Sequence, residues 1–597
     1  MKRIFSCICS TIFSTSLFSS HLQPAIDHMI QQVDPKINMG IVVVDLNTGE
    51  RLYERSANQL FIPASNMKLF SNAAALLAFG PGYRFSTKLS TDANNLQQGV
   101  LKGSIYISMN GDPSLTSKNI QNLFTQLTSH GITRIQGDVV VVSNHINVAA
   151  YAPGVVKKDA TFSYGAPVAP LILDENRIIV TVNPAYRVKD PAIIEFQTNT
   201  NSPKINNMVT TASSSKGCGI DFNMETGNQL NVRGCIGLHQ SAFQQGLALR
   251  APMSYTQEQI KRILSGMHIM LDGQVLAGQP PKRSLLLATH ESKPLAQIMA
   301  DTMKPSDNLY ADTLFLQTAG KIHGSVLNWP DAQPIIKQFL EQQSNISMSN
   351  AVLADGSGLS RLDRVTPEQT VRLLHYLYTH FPLSYEYIAA LPIAGQDGTL
   401  QRRFNLPQQR GFIRAKTGTM TGVIGLSGYV YAANGHTLAF SIYINTLKGT
   451  APRISGQYRH LVDSICAFLL KQKPDDQHVA VFNISSNHIA FLQNQTPAQH
   501  LRQTRGAWRN LEYSVKQAFQ KHAISVLYRA HQLVLIDHTG NPNIVWSALQ
   551  AIYAKHKFAV ELSSSDRPLG IQNGPHLLWT QHTNASNDQI WTLHPYA

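Results

Sequence analysis

The chain is 597 residues long, 43% hydrophobic and 14% charged, with a formal net charge of +14. That length excludes a single small domain with one core, and the composition is that of a folded rather than a disordered chain. The positive balance attracts anions such as wall polymers, acidic lipid headgroups or nucleic acid, but no recognisable nucleic-acid module accompanies it, so nucleic acid is not expected as a partner.

Met1-Lys2-Arg3 and the apolar, serine-rich stretch up to Ser20 read as a secretory signal peptide, residues 1–20, cleaved near Ser19 or Ser20. No later run approaches the ~20 apolar residues that a membrane span needs. Residues 40–46 and 50–55, joined by Asn47-Thr48-Gly49, read as a β-hairpin. Pro63 then opens a helical pattern in which Met67, Phe70, Ala74, Leu77 and Phe79 recur until Gly80-Pro81. Ser65 and Lys68 lie three apart on one face, so the lysine amine can reach the serine hydroxyl as an acyl-transfer site requires. About two Ser-x-x-Lys tetrads are expected by chance in such a chain. The other, Ser213 to Lys216, sits in a polar loop with no apolar stripe.

From about residue 84 to 287 strand-like segments recur at 103–108, 137–142 and 177–182, with an occasional helix such as 120–130. Cys218 and Cys235 bracket a predicted hairpin at 219–234 and can staple it in an oxidising compartment. Helical patterns return at 294–303, 307–320, 335–343 and 367–378. Strands follow at 410–416, 423–431 and 436–445, the last two joined through Asn434-Gly435, and then an amphipathic helix at 454–470 in which Cys466 reads as a buried free thiol. After Pro474-Asp475-Asp476 comes a separate α/β stretch: a strand at 478–484, helices at 499–519 and 544–556, and a strand pair at 524–529 and 532–537. Its histidines lack ligand spacing, so no metal and no cofactor is expected.

Two further motifs join the first. Ser306-Asp307-Asn308 begins a predicted helix, and Lys416-Thr417-Gly418 lies on a predicted strand. Ser-x-x-Lys, Ser-Asp-Asn and Lys-Thr-Gly in that order form the signature of penicillin-binding proteins and serine β-lactamases. With Gly111-Asp112-Pro113, the run from Asp355-Gly356-Ser357-Gly358 to Arg361, and Gly395-Gln396-Asp397-Gly398, the sequence over residues 21–472 resembles the penicillin-binding protein 4 type of D-alanyl-D-alanine carboxypeptidase/endopeptidase, the class C penicillin-binding proteins of peptidase family S13. The long stretch between Ser65 and Ser306 is typical of that branch.

The resemblance implies a multidomain α/β (α+β) fold. A β-lactamase/transpeptidase-like serine acyl-transferase domain would be made of residues 21–85 and 286–472, a β-rich region of 86–285 inserted in it, and an accessory α/β domain of 477–597 added. It implies that Ser65 attacks the carbonyl between two D-alanines, that neutral Lys68 takes its proton, and that Ser306 passes it to the leaving amine. Asn308 would bind substrate or Lys68. Lys416 and Thr417 would receive the terminal carboxylate and Gly418 would let the strand come close, with backbone N–H groups of Ser65 and Thr419 as oxyanion hole. Arg361 falls either near the substrate or in a solvated loop. Implied partners are peptidoglycan stem peptides, with β-lactams as covalent inhibitors, in the periplasm; a wall or protein partner would meet the C-terminal domain. The rival readings are a serine β-lactamase and a non-catalytic wall-binding scaffold. One departure stands out. Members acting on diaminopimelate peptides tend to carry a carboxylate after the strand at 137–142 and a glutamine after Lys-Thr-Gly, where this chain has Ser143-Asn144-His145 and Met420-Thr421.

Overall fold

The computed structural model describes residues 19–471, apart from 94–95, 144–147, 169–170, 199, 201, 326, 434 and 447–453, and six strands further along the chain. The chain separates into a large unit, Met1–Val430 with Leu438–Cys466, and a smaller one, Tyr431–Thr437 with Ala467–Ala597. Most of the expected signal peptide, residues 1–18, lies outside the described residues. Among them no helix is long and apolar enough to cross a membrane.

The large unit opens with α1 (Ser19–Val33) and the antiparallel hairpin of β1 (Met39–Asp45) and β2 (Arg51–Arg55). Ala64–Asn66 form a single 3-10 turn before α2 (Met67–Phe79). The chain then leaves for a long excursion before it returns. The excursion holds β3 (Ser86–Thr91), β4 (Ile105–Met109), α3 (Ser117–Ser129), β5 (Val139–Ser143), β6 (Arg177–Asn183), β7 (Ile193–Phe196), β8 (Lys204–Ala212), β9 (Ile220–Met224), β10 (Gln229–Gly237), β11 (Phe243–Ala248), α4 (Pro252–Gly266), β12 (Val275–Gly278) and β13 (Leu285–Glu291). The returning chain forms α5 (Leu295–Met303), α6 (Asn308–His323), α7 (Trp329–Ser344), α8 (Pro367–Thr379) and α9 (Leu383–Ala390). It closes with β14 (Ile413–Met420), β15 (Val423–Tyr431), β16 (Thr437–Asn445) and α10 (Ile454–Leu470).

The principal sheet runs β14-β15-β16-β1-β2, so its centre is built from both ends of the chain segment that brackets the excursion. β15 and β16 are buried at every position but the last, which explains why neither alternates polar with apolar: a strand covered on both faces carries apolar or small residues on each. Val42, Tyr429, Ala439 and Tyr443 pack into one core with α2 and α5 to α9.

The excursion has a core of its own, with Ile107, Val141, Phe124, Ile260, Val180 and Val232 among its members. Its sheets include β12-β5-β4-β3-β13, β7-β6-β11 and β8-β10-β9. The β-rich reading of this stretch therefore holds, although α4 had no expectation. Cys218 and Cys235 are joined, fastening the β9–β10 hairpin as anticipated, and Cys466 is a buried free thiol. Ser213 and Lys216 fall in an exposed turn, which disposes of the second tetrad.

In the smaller unit the expected pair forms: Ile524–Arg529 lies antiparallel to Gln532–Asp537. Ile484–Ser486 pairs with Phe558–Val560, and Leu578–Thr583 with Gln589–His594. The helices expected at 499–519 and 544–556 lie outside the described residues.

Candidate active site

The sequence predicts a helix running through Ser65, and here the structure corrects it. The helix proper starts at Met67, and Ser65 occupies the tight turn in front of it. Ala64 is held at φ +46, the left-handed region that an L residue enters at a cost of about 1–2 kcal/mol. Neighbours hold the turn in that shape. The Asn445 side chain at the end of β16 accepts from Ile62 N (2.7 Å) and donates to Ile62 O (3.1 Å). Gly358 lies so close that a Cβ there would sit 1.8 Å from Ala64 O. Pro63, Ala64, Asn66, Met67 and Lys68 are all buried, whereas Ser65 keeps part of its surface.

One helical turn on, Lys68 is fully buried and has three partners. Its Nζ lies 3.0 Å from Ser65 Oγ, 2.5 Å from Asn308 Oδ1 and 2.8 Å from the Ser357 carbonyl. The last two are pure acceptors. A neutral lysine amine has two N–H groups and one lone pair. The two N–H groups go to Asn308 and Ser357, which leaves the lone pair the Ser65 hydroxyl. That geometry leaves the Lys68 amine able to accept a proton from Ser65.

The Ser357 carbonyl is held by a loop wound around buried carboxylates. Asp355 accepts from the backbone N–H groups of Ser357 (3.0 Å), Gly358 (2.5 Å) and Ser360 (2.7 Å). Asp312, one turn along α6, accepts from Gly356 N at 2.9 Å, and Asp363 from Ala354 N at 2.7 Å. Burial and the neighbouring Asp355 push Asp312 and Asp363 well above the ordinary carboxylate range.

Ser306-Asp307-Asn308 begins α6, as the motif suggests. Ser306 has φ +67, and Asp307 caps the helix by accepting from Tyr310 N at 3.1 Å. β14 is the edge strand of the principal sheet and carries Lys416-Thr417-Gly418. Ala415 N donates to Pro392 O, away from β15; by the alternation of an antiparallel ladder the backbones of Thr417 and Thr419 also face that open edge. Gly418 meets the nucleophile turn. A Cβ on it would lie 2.6 Å from Pro63 O and 2.7 Å from Asn66 Nδ2. Lys416 is fully buried and donates to Ser306 Oγ and to Thr417 O, both at 2.9 Å.

Two buried amines so placed repel each other's charge. Burial lowers Lys68 from 10.5 to about 8, against the pull of Asp312, Asp355, Asp307 and Asp363, all of which favour its ammonium. Burial and the Lys68 charge together drive Lys416 well below 10.5. The neighbouring carboxyl groups thus favour the Lys68 ammonium, whereas burial and the Lys68 charge both act to lower Lys416.

The remaining expected residues are arranged as follows. Thr417 Oγ1 donates to Thr399 Oγ1 at 2.7 Å, and Thr419 is exposed on the same strand. Arg361 reaches the Thr421 carbonyl (3.2 Å) where β14 turns into β15, which places it at the end of the motif strand. Ser306 Oγ accepts from Lys416 Nζ, while the hydrogen-bond partners of Lys68 among the described residues are Ser65, Asn308 and Ser357. Asn144 and His145 lie outside the described residues. Sequence reasoning gave no role to Asp312, Asp355 and Asp363, although Asp355 stands in a quoted motif, nor to Thr399. Gly395-Gln396-Asp397-Gly398 lies in a turn, and its Asp397 accepts from Lys304 Nζ at 2.6 Å, two residues before Ser306.

An antiparallel sheet covered by helices on both faces, with a part-exposed serine at a helix mouth and two buried lysines each bonded to a hydroxyl, defines a β-lactamase/transpeptidase-like serine acyl-transferase. The comparisons with known proteins narrow that class. The profile of the D-Ala-D-Ala carboxypeptidase 3 (S13) family matches residues 22–461, and the chain belongs to that family. It is 29% identical over 428 residues to D-alanyl-D-alanine carboxypeptidase DacB of Haemophilus influenzae, covering 70% of this chain and 88% of that one. It is 28% identical over 451 residues to a D-alanyl-D-alanine carboxypeptidase of Actinomadura sp., covering 72% and 82%. The crystal structure of penicillin binding protein 4 (dacB) from Haemophilus influenzae superposes with a TM-score of 0.68 at 28% identity, over 75% of this chain and 99% of that one. The same protein has been seen in complex with a β-lactam.

Proposed function

We propose that the protein is a penicillin-binding serine carboxypeptidase/endopeptidase that removes the terminal D-alanine from peptidoglycan stem peptides or cuts D-alanyl cross-links, working in the periplasm. The single observation that carries this reading is the Lys68 lone pair, which the Asn308 and Ser357 acceptors leave facing Ser65 Oγ. Ser65 adds to the D-alanyl carbonyl while its proton passes to Lys68. The open-edge backbone of Thr419 and the N–H of Ser65 receive the developing oxyanion. The substrate's terminal carboxylate docks beside Lys416, Thr417 and Thr399. An anion there restores the Lys416 ammonium, whose field lowers the Lys68 pKa further, so that docking itself readies the base. The proton returns to the leaving D-alanine nitrogen by way of Ser306, and water releases the acyl group from Ser65.

Mass spectrometry after exposure to benzylpenicillin is the deciding experiment. A stable adduct mapped to Ser65 is expected, and a Ser65→Ala protein that still hydrolysed a D-Ala-D-Ala peptide would end the reading. Rapid loss of the adduct would mark a β-lactamase instead. No adduct, with retention on purified sacculi, would mark a scaffold.

We further propose the division into residues 21–85 with 286–472, an inserted 86–285, and an accessory domain of 477–597 that docks on cell wall or on a protein partner. The basic charge and the Pro474-Asp475-Asp476 linker support the last assignment. Truncation after Gln472 is expected to spare hydrolysis of small peptides and to reduce retention on sacculi; unchanged retention would refute it.

A further inference from the structure

Two groups from the excursion between α2 and α5 reach the start of α6, and neither belongs to the three motifs. The first is the backbone of Tyr164, in a tight turn where Gly165 N donates to Phe162 O; a Cβ on Gly165 would fall 2.1 Å from Asp159 O. Its carbonyl accepts from Asn308 Nδ2 at 2.7 Å. That bond decides which end of the Asn308 amide meets Lys68. With the amide reversed, Asn308 Oδ1 would face the Tyr164 carbonyl, acceptor against acceptor. Its N–H would then compete with Ser65 for the lysine lone pair.

The second group is Arg177, at the start of β6. Its guanidinium donates to Asp307 Oδ2 at 2.8 Å, while Asp307 Oδ1 caps α6, so the two oxygens of one carboxylate are fixed from opposite sides. The other arm of Arg177 pairs with Glu175, which also accepts from Tyr310 Oη at 3.3 Å. The turn that presents this pair is strained. Asp174, Glu175 and Asn176 have φ values of +49, +58 and +49, three consecutive residues in the left-handed region. Bonds within the excursion hold it there. Asp174 accepts from Ser117 N and Tyr255 Oη, both at 2.8 Å, and buried Asn176 donates to the carbonyls of Pro167 (3.1 Å) and Leu171 (2.9 Å). A chain that merely linked two bodies would not need such a turn to aim one ion pair at the middle residue of Ser306-Asp307-Asn308.

We infer that the excursion is part of the acylation apparatus: the Tyr164 carbonyl and the Arg177 guanidinium are positioning groups that orient Asn308 and Asp307, and through Asn308 the base Lys68. This rests on the acyl-transfer reading above. Arg177→Ala is expected to lower the limiting rate of acylation by a fluorescent penicillin about tenfold. The half-saturating concentration should stay within about twofold and the fold should be retained, because Arg177 is itself part-exposed and Asp307 keeps its bond to Tyr310 N. Arg177→Lys, which keeps one charged donor, is expected to recover most of the rate. A wild-type rate in Arg177→Ala would overturn the inference, as would a rate lost together with stability and not recovered by Arg177→Lys. A crystal structure of Arg177→Ala gives a second reading independent of activity: the inference requires Asn308 to shift from Lys68, and an unmoved Asn308 refutes it. Failure of the wild type to acylate at all would instead remove the enzymatic reading, with the position of Asn308 still deciding this one.

Discussion

Lys416 Nζ and Ser306 Oγ, 110 residues apart in the chain, are joined by a 2.9 Å hydrogen bond that ties the edge strand of the principal sheet to the first residue of Ser306-Asp307-Asn308. Lys416 is fully buried, so its charge costs stability unless a ligand compensates it. Lys416→Met is therefore expected to reduce acylation by about a hundredfold or more while leaving the melting temperature unchanged or higher. Rates of labelling by a fluorescent penicillin, read beside thermal melts, check both halves of the statement.

The pH dependence follows from Lys68. Its ordinary pKa of 10.5 falls to about 8 on burial, and in the proposed reaction the neutral amine takes the Ser65 proton. Acylation of the free enzyme should rise with pH about tenfold per unit below pH 8 and flatten above it. A profile flat from pH 6 to 9 would contradict Lys68 as base.

Gly418→Ala tests the contact between β14 and the nucleophile turn. The new methyl meets Pro63 O and Asn66 Nδ2, the first of them backbone, so the turn must shift. Displacement of Ser65 by a few tenths of an ångström to an ångström is expected to cost about a hundredfold in acylation rate, with the fold retained. Circular dichroism and labelling kinetics separate the two.

Asp363 gives a stability prediction with a definite sign. It is fully buried, and burial with the charge and side-chain hydrogen bond of Asp355 holds its pKa well above 3.8. The folded protein then binds a proton that the unfolded chain has lost, so this group makes stability fall as pH rises from about 4 towards its folded pKa. Asp363→Asn keeps the shape and cannot titrate. Its melting temperature at pH 7 to 8 should equal or exceed that of the parent, with a flatter dependence on pH; a variant less stable at pH 8 than the parent would refute the protonated state.

The sequence by itself determined the chemistry and its order. Residue types and three-residue spacing marked Ser65 and Lys68, and Ser306 with Asn308 and Lys416 with Gly418 followed on a predicted helix start and strand. Apolar periodicity located β15, β16, α8 and α10 to within a residue or two, because burial on a fixed face imposes that periodicity directly. The Cys218–Cys235 staple was also legible, since both cysteines flank a turn.

Tertiary structure alone decided what each group touches. Nothing local marks Asp312, Asp355 and Asp363 as the carboxyl groups behind Lys68, because they meet only when α6 packs against the loop after α7. Nor does local pattern reveal that the Tyr164 carbonyl orients Asn308 across 144 residues. The left-handed Ala64, which replaces a smooth helix through Ser65, depends on Gly358 lying against it. Hydrogen bonds and burial depend on distances in space, and a pKa near 8 for Lys68 exists only once the folded chain has removed its water.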